Sequence, residues 1–210
     1  MKKLIFLMLT AVISLFLCSC SQNGTAKSGV EASGFSQSIS RTDTSETAVQ
    51  GESQKGSGSI VIYFSCTGTT ENAANKIAEL SNSDIYKIIP AVPYTSEDLN
   101  YGNDNCRANV EQHDPSARPE ISGQLPDLSG YDRVYIGFPV WWGTCPKIIN
   151  TFLETCDLSG KTVYPFCTSG GSGISTAQDY IESVCANADV KPGIRANGAS
   201  DTALSEWIAG

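Results

Sequence analysis

The chain of 210 residues carries 14 Lys and Arg against 22 Asp and Glu, a net charge of −8. Surplus negative charge is repelled by nucleic-acid phosphates and by anionic lipid, which argues against nucleic acid as a partner and against a polybasic membrane-binding surface on the chain. One histidine and no Cys-x-x-Cys pair leave no cluster with metal-ligand spacing, so no metal centre is expected.

At the N-terminus, Lys2 and Lys3 precede an uncharged run from Leu4 to Leu17, too short to read as a committed membrane span. The run ends in Leu17-Cys18-Ser19-Cys20, which resembles a bacterial lipoprotein signal, with Leu17 three positions before Cys20 and the small Ser19 directly before it. The resemblance implies removal of residues 1–19, lipidation of Cys20, and a membrane-anchored protein outside the cytoplasm. A plain secretory signal cut nearby leads to the same compartment. Loss of Lys2 and Lys3 takes the net charge from −8 to −10, since residues 1–19 contain no acidic residue. Residues 21–58 are rich in Ser, Gly, Thr, Gln and Ala, with few large apolar side chains. Such a stretch buries too little surface to offset its ordering entropy, and it reads as a flexible tether with a reach of roughly 35 Å. The domain map is therefore 1–19, signal; 20–58, Cys20 and tether; and 59–210, one globular domain.

Within that domain, Ile60-Val61-Ile62-Tyr63-Phe64 is a continuous apolar run that predicts a buried strand. Ser65-Cys66-Thr67-Gly68-Thr69-Thr70 follows and opens a helix over Glu71–Leu80. Hydroxyls at a helix start suit an anion, because the first backbone N–H groups are unpaired there and the helix dipole favours negative charge. No Lys precedes the Ser/Thr, so the loop is not a Walker phosphate loop; an ordinary Thr-capped helix is the simpler alternative. Asp84–Ile89 predicts a second, edge strand. Residues 93–130 form a long polar insert containing Tyr94, Tyr101, Arg107, His113 and Arg118. Arg107 and Arg118 are expected to pin it by salt bridges, and His113 to be solvated.

Arg133–Phe138 predicts a third, central strand, followed by Pro139-Val140-Trp141-Trp142-Gly143-Thr144 and a helix from Pro146 to Thr155. Of the two adjacent indoles, one is expected in the core. Lys161–Cys167 predicts a fourth strand despite Pro165. Thr168-Ser169-Gly170-Gly171-Ser172-Gly173 and a helix over Ser175–Cys185 come next, then a short strand within Val190–Ala196 and a helix over Thr202–Ile208. Strands alternating with helices give an α/β doubly wound sheet, and right-handed crossovers bring the loops after the first, third and fourth strands to one sheet edge. Phosphate donors in one loop, indoles in the second and glycines in the third describe a site for FMN.

These three motifs in order, with Pro93-Tyr94, Arg107-Ala108-Asn109 and Asp114–Ile121 in the insert, resemble the flavodoxin-like family over the whole of 59–210. The resemblance implies a three-layer doubly wound sandwich with a five-stranded parallel sheet of order 2-1-3-4-5, a topology for which flavodoxin is itself the standard example. It further implies that Ser65, Thr67, Gly68, Thr69 and Thr70 hold the FMN phosphate. Pro139, Val140, Trp141, Trp142 and Gly143 would flank the isoalloxazine. Thr168, Ser169, Gly170, Gly171 and Gly173 would contact it through the backbone. The third loop has no aromatic residue, so the outer flavin face is open to a substrate or covered by Tyr94 or Tyr101. Glu71 would repel a phosphate unless its side chain turns away.

The function so implied is FMN-dependent electron carriage, or reduction of a small acceptor, with a donor and acceptor that include membrane-bound candidates. A surface-anchored binding module of the same fold without flavin is the alternative. Hydrolysis is disfavoured, since there is no Gly-x-Ser-x-Gly elbow, and Gly170–Gly173 lacks dinucleotide-fingerprint spacing. Six cysteines lie beyond the signal: Cys66, Cys106, Cys145, Cys156, Cys167 and Cys185. They allow 15 full pairings. Cys66, Cys145 and Cys167 adjoin apolar runs and read as small buried hydrophobes, so mostly free thiols are expected.

Overall fold

A computed structural model describes residues 58–210. The signal 1–19, Cys20 and the tether up to residue 57 lie outside the described residues. In chain order the elements are β1 (Ser59–Tyr63), α1 (Thr69–Ser81), β2 (Asp84–Lys87), α2 (Arg107–His113), β3 (Arg133–Pro139), α3 (Lys147–Thr155), β4 (Thr162–Thr168), α4 (Ser175–Val184), β5 (Asp189–Val190), β6 (Ile194–Arg195) and α5 (Asp201–Ala209). The sheet is parallel with order β2-β1-β3-β4-β5, as the family resemblance implies, and β6 also pairs with β4.

Alternation along the central strands divides the core in two. Ile60, Ile62 and Phe64, with Val134, Ile136, Phe138, Val163 and Cys167, face Ile148, Ile149 and Phe152 of α3 and Ala177 and Ile181 of α4. Val61, Tyr63, Tyr135, Tyr164 and Phe166 face Ala74 and Ile77 of α1 and Leu204 and Ile208 of α5. Burial on both faces explains why these strands are nearly all apolar, and why β2, with alternating exposure, stands at the edge.

The single fifth strand expected within Val190–Ala196 is divided. Asp189 and Val190 pair with Thr162 and Val163, and Ile194 and Arg195 pair with Phe166 and Cys167. The interruption falls at Pro192, which has no N–H, and at Gly193, whose N–H donates to Gln178 Oε1 at 2.7 Å instead of to the sheet. Pro165, which likewise brings no N–H, lies on β4 between the two paired stretches. Six strands thus fill five positions. The long polar insert holds a helix of its own, α2. Pro146 caps α3 with an extended ψ of 149° and does not begin it. All six described cysteines are free. Cys145 and Cys167 are buried as expected of small hydrophobes, and Cys106 and Cys185 are buried too, but Cys66, expected in the same class, is exposed, because the chain has already left the sheet there.

Candidate functional site

The loops after β1, β3 and β4 meet at the carboxyl edge of the sheet around a cleft of about 350 Å³, within the range that encloses a cofactor-sized ligand. In the first loop Gly68 takes φ +87°, and a side chain there would meet nothing within 4 Å, so the turn and not space requires glycine. The Gly68 N–H donates to Ser65 Oγ at 3.1 Å. No side chain caps α1, which leaves the first N–H groups of the helix for whatever occupies the cleft.

Thr70 Oγ1 and Thr168 Oγ1 lie 2.7 Å apart, both buried, and tie the start of α1 to the end of β4. Two hydroxyls own two hydrogens, and the bond between them uses one. The other remains for an acceptor.

The second loop is anchored by the Val140 N–H on Thr168 O, at 2.8 Å. Trp141 and Thr144 then exchange backbone hydrogen bonds of 2.9 and 3.0 Å around a two-residue turn. Both turn residues are left-handed, Trp142 at φ +50° and Gly143 at φ +80°, as a type I′ turn demands. The two indoles separate as expected. Trp141 is buried, its ring edge-on to Phe64, Tyr94 and Tyr101 at 5.8, 5.4 and 6.1 Å. Trp142 is 54% exposed, its Nε1–H donating to Asn109 Oδ1 at 3.0 Å while its ring tilts against that of His113.

The third loop is held by Asn197, whose Oδ1 accepts from the Ser169 N–H at 2.9 Å and whose Nδ2 donates to Ser169 O at 2.8 Å. The Ser169 hydroxyl donates to Ser172 O and accepts from the Gly171 N–H.

The cleft gathers Ser65, Thr67, Thr69, Thr70, Pro139, Val140, Trp141, Thr168, Ser169 and Gly170 from the residues singled out in sequence. Gly68 shapes the turn behind it. Trp142 borders an adjoining hollow, and Gly143, Gly171 and Gly173 are not in the wall. Tyr101, one of the two covers expected for a ring, also lines the wall, with two residues given no role from sequence, Cys66 and Asn197. Tyr101 was legible as a cover for a ring, whereas Asn197 had no local signal.

No wall residue is charged. Partial desolvation by the surrounding cleft pushes the Cys66 thiol up to about 11, against a smaller opposite pull from Arg107, and partial desolvation also raises the Tyr101 phenol. Both stay neutral at ordinary pH. Glu71, expected as a threat to an anion, accepts from Lys87 Nζ at 2.9 Å and from the Tyr63 hydroxyl at 3.0 Å. These two donors hold its carboxyl below the usual carboxylate range. The ion pair is therefore intact above the ordinary Glu range and is lost only as pH falls through the lowered folded value. Its charge is answered by Lys87 and does not act alone on the cleft.

The insert packs as its arginines suggested. Arg107 Nε donates to Glu111 at 2.6 Å, and its guanidinium lies 3.9 Å from the centre of the Tyr94 ring. Arg118 makes two 2.7 Å bonds to Glu154. Tyr94 backs Trp141 and is not in the cleft wall. Asn109, 1% exposed, donates to Tyr101 O at 3.1 Å and Asn103 O at 2.9 Å while accepting from Trp142. Asn109→Ala is expected to cost about 1–3 kcal/mol in urea unfolding, because those carbonyls lose a buried donor. Faster hydrogen exchange over 100–113 should accompany the loss; unchanged stability would show that the insert is held elsewhere.

A family model described as flavodoxin matches residues 58–210. The chain is 42% identical to a candidate flavoprotein of Bacteroides eggerthii, with a TM-score of 0.69, covering 72% of this chain and 95% of that one. A candidate flavoprotein of Bacteroides uniformis is 43% identical, with a TM-score of 0.69 and coverage of 72% and 97%. A flavoprotein of Lactobacillus acidophilus, solved in complex with FMN, shares the fold at 23% identity, with a TM-score of 0.54 and coverage of 69% and 97%. No curated protein matches the chain.

Proposed function

This chain belongs to the flavodoxin family, and we propose that it is an FMN-binding redox protein anchored outside the cytoplasm through Cys20, carrying electrons or reducing a small acceptor. The observation that carries this reading is the uncapped start of α1 facing a cleft without charged walls, beside the Thr70–Thr168 hydroxyl pair. Backbone N–H groups and neutral hydroxyls there suit a phosphate. Ser65, Thr67, Thr69 and Thr70 take that end, with Gly68 shaping the turn. Pro139, Val140 and Trp141 form an apolar wall for the isoalloxazine, and Thr168, Ser169 and Gly170 meet its edge through the backbone. Gly143 supplies the turn of the second loop, and the Gly171 N–H braces the third on the Ser169 hydroxyl. The FMN found in the Lactobacillus protein supports the same cofactor here.

FMN, when bound, supplies reversible one- and two-electron chemistry. The chain's own part is to bind the phosphate by fixed dipoles, to exclude water from the inner ring face with Trp141 and its aromatic neighbours, and to keep charge out of the wall. The lipid on Cys20 and the tether would keep the domain near a membrane-bound donor. The visible spectrum of the purified protein tests the cofactor. A yellow protein, or one that turns yellow and saturates with added FMN, is expected. A colourless protein that takes up no FMN overturns the redox reading and leaves an anchored binding module.

A further inference from the structure

At the fifth position of the sheet, Val190 stands opposite Val163 and Arg195 opposite Cys167, so the interruption at Pro192 and Gly193 advances the register by one residue. An extra residue of this kind re-aims the side chains beyond it. Without it Ala196 would come level with Ser169; with it Asn197 does. We propose that Asn197 is a positioning residue for FMN, which fixes the Gly170 N–H as a donor to the flavin ring, an assignment that rests on the FMN reading of the cleft.

The bonds around Asn197 converge on one peptide. The backbone ladder stops at Ala196, whose N–H donates to Cys167 O at 2.8 Å. Gly198, at φ +86°, then turns the chain away toward α5. Between them the Asn197 side chain takes over the pairing that the strand gives up, accepting from the Ser169 N–H and donating to Ser169 O. Thr168 O is held by the Val140 N–H of the second loop. A planar trans peptide points its N–H opposite to its C=O. With the Ser169 carbonyl drawn to Asn197, the Gly170 N–H is turned the other way. That N–H donates to nothing among the described residues, and Gly170 lines the cleft. The next donor, the Gly171 N–H, is taken by Ser169 Oγ. A carboxamide brings the acceptor and the donor that this clamp needs, whereas a carboxylate would set a charge against Ser169 O. Reduction places negative charge on the flavin ring, and a fixed N–H aimed at developing charge favours the charged form. The Gly170 N–H therefore holds reduced FMN more tightly than oxidised FMN, and Asn197 sets the difference.

The test titrates the full chain and its variants with oxidised and with reduced FMN and measures their midpoint potentials. Asn197→Ala should raise the Kd for reduced FMN about ten-fold more than the Kd for oxidised FMN. That ratio lowers the two-electron potential by about 30 mV. Ser169→Ala removes the hydroxyl that braces the loop but leaves both clamped peptides, so it should raise the two Kd values alike. Equal rises in Asn197→Ala, with the parent's potential, would overturn the proposal and leave Asn197 a strut. A potential shift of the same size in Ser169→Ala would overturn it too, since loosening the loop would then suffice. The parent protein supplies a measurement that no folding defect obscures. Its Gly170 amide should exchange rapidly with solvent without FMN and about ten-fold more slowly, or slower still, with FMN bound. An amide that FMN leaves unprotected would overturn the donor assignment. Failure of the FMN reading shows separately, as a protein that stays colourless with added FMN.

Discussion

Gly137→Ala is expected to destabilise the domain by about 3 kcal/mol or more, the upper end of the range for overpacking a filled core. Gly137 lies on β3 opposite Phe166 of β4, on the face that packs against α1 and α5. A Cβ built there would stand 2.0 Å from Phe166 Cζ, with two further ring atoms at 2.3 and 2.7 Å. The glycine is required by that ring and not by its backbone, which has no left-handed φ. Phe166 is itself fully buried and packs toward Trp207, so the ring has nowhere to retreat. Partial relief should come from the partner. Phe166→Ala alone removes a core ring, at about 3–5 kcal/mol. Adding Gly137→Ala to it should cost little more, because the new methyl enters the vacated space. Urea unfolding of the two single variants and the double variant measures this coupling. A single Gly137→Ala variant within about 1 kcal/mol of the parent would mean that the two strands separate there more easily than their register suggests.

That glycine marks the boundary of what was legible in the chain. The central strands announced themselves as apolar runs because both their faces are covered, and the three loops could be read because each motif directly follows such a run. Where the reading failed, the deciding contact came from far away in sequence. Glu71 looked hostile to a phosphate because its partner, Lys87, sits on the neighbouring strand, 16 residues on. Asn197 enters the wall by clamping Ser169 across 28 residues, and nothing around it signals that role. The α2 helix is only seven residues long, too short for a periodicity to show. The divided fifth position was foreshadowed by Pro192 and Gly193, but only the pairing with β4 shows that both halves stay on the same neighbour. Phe166 opposite Gly137 belongs to the same class, a register contact between strands that no local pattern reveals.

The hydroxyl pair at the cleft should separate a strut from a ligand. Thr70→Val keeps the shape of the side chain but leaves the Thr168 hydroxyl buried without its 2.7 Å partner. It should therefore cost about 1–3 kcal/mol of stability. Thr70→Val combined with Thr168→Val removes both polar groups, and replacing both partners by apolar groups of similar shape is close to neutral. Stability of the double variant should thus return toward that of the parent. FMN affinity should not follow. The hydrogen left over from the pair is the donor assigned to the phosphate, and a hydrogen bond to a charged group contributes about 1.5–3 kcal/mol, so Kd should rise roughly 10- to 150-fold and stay raised in the double variant. Denaturant melts and FMN titrations on the same three proteins read the two effects independently. A double variant that is stable and binds FMN as tightly as the parent would reduce the pair to a strut and place the phosphate elsewhere along the loop. Recovered stability with lost affinity is the signature of a donor aimed into the cleft.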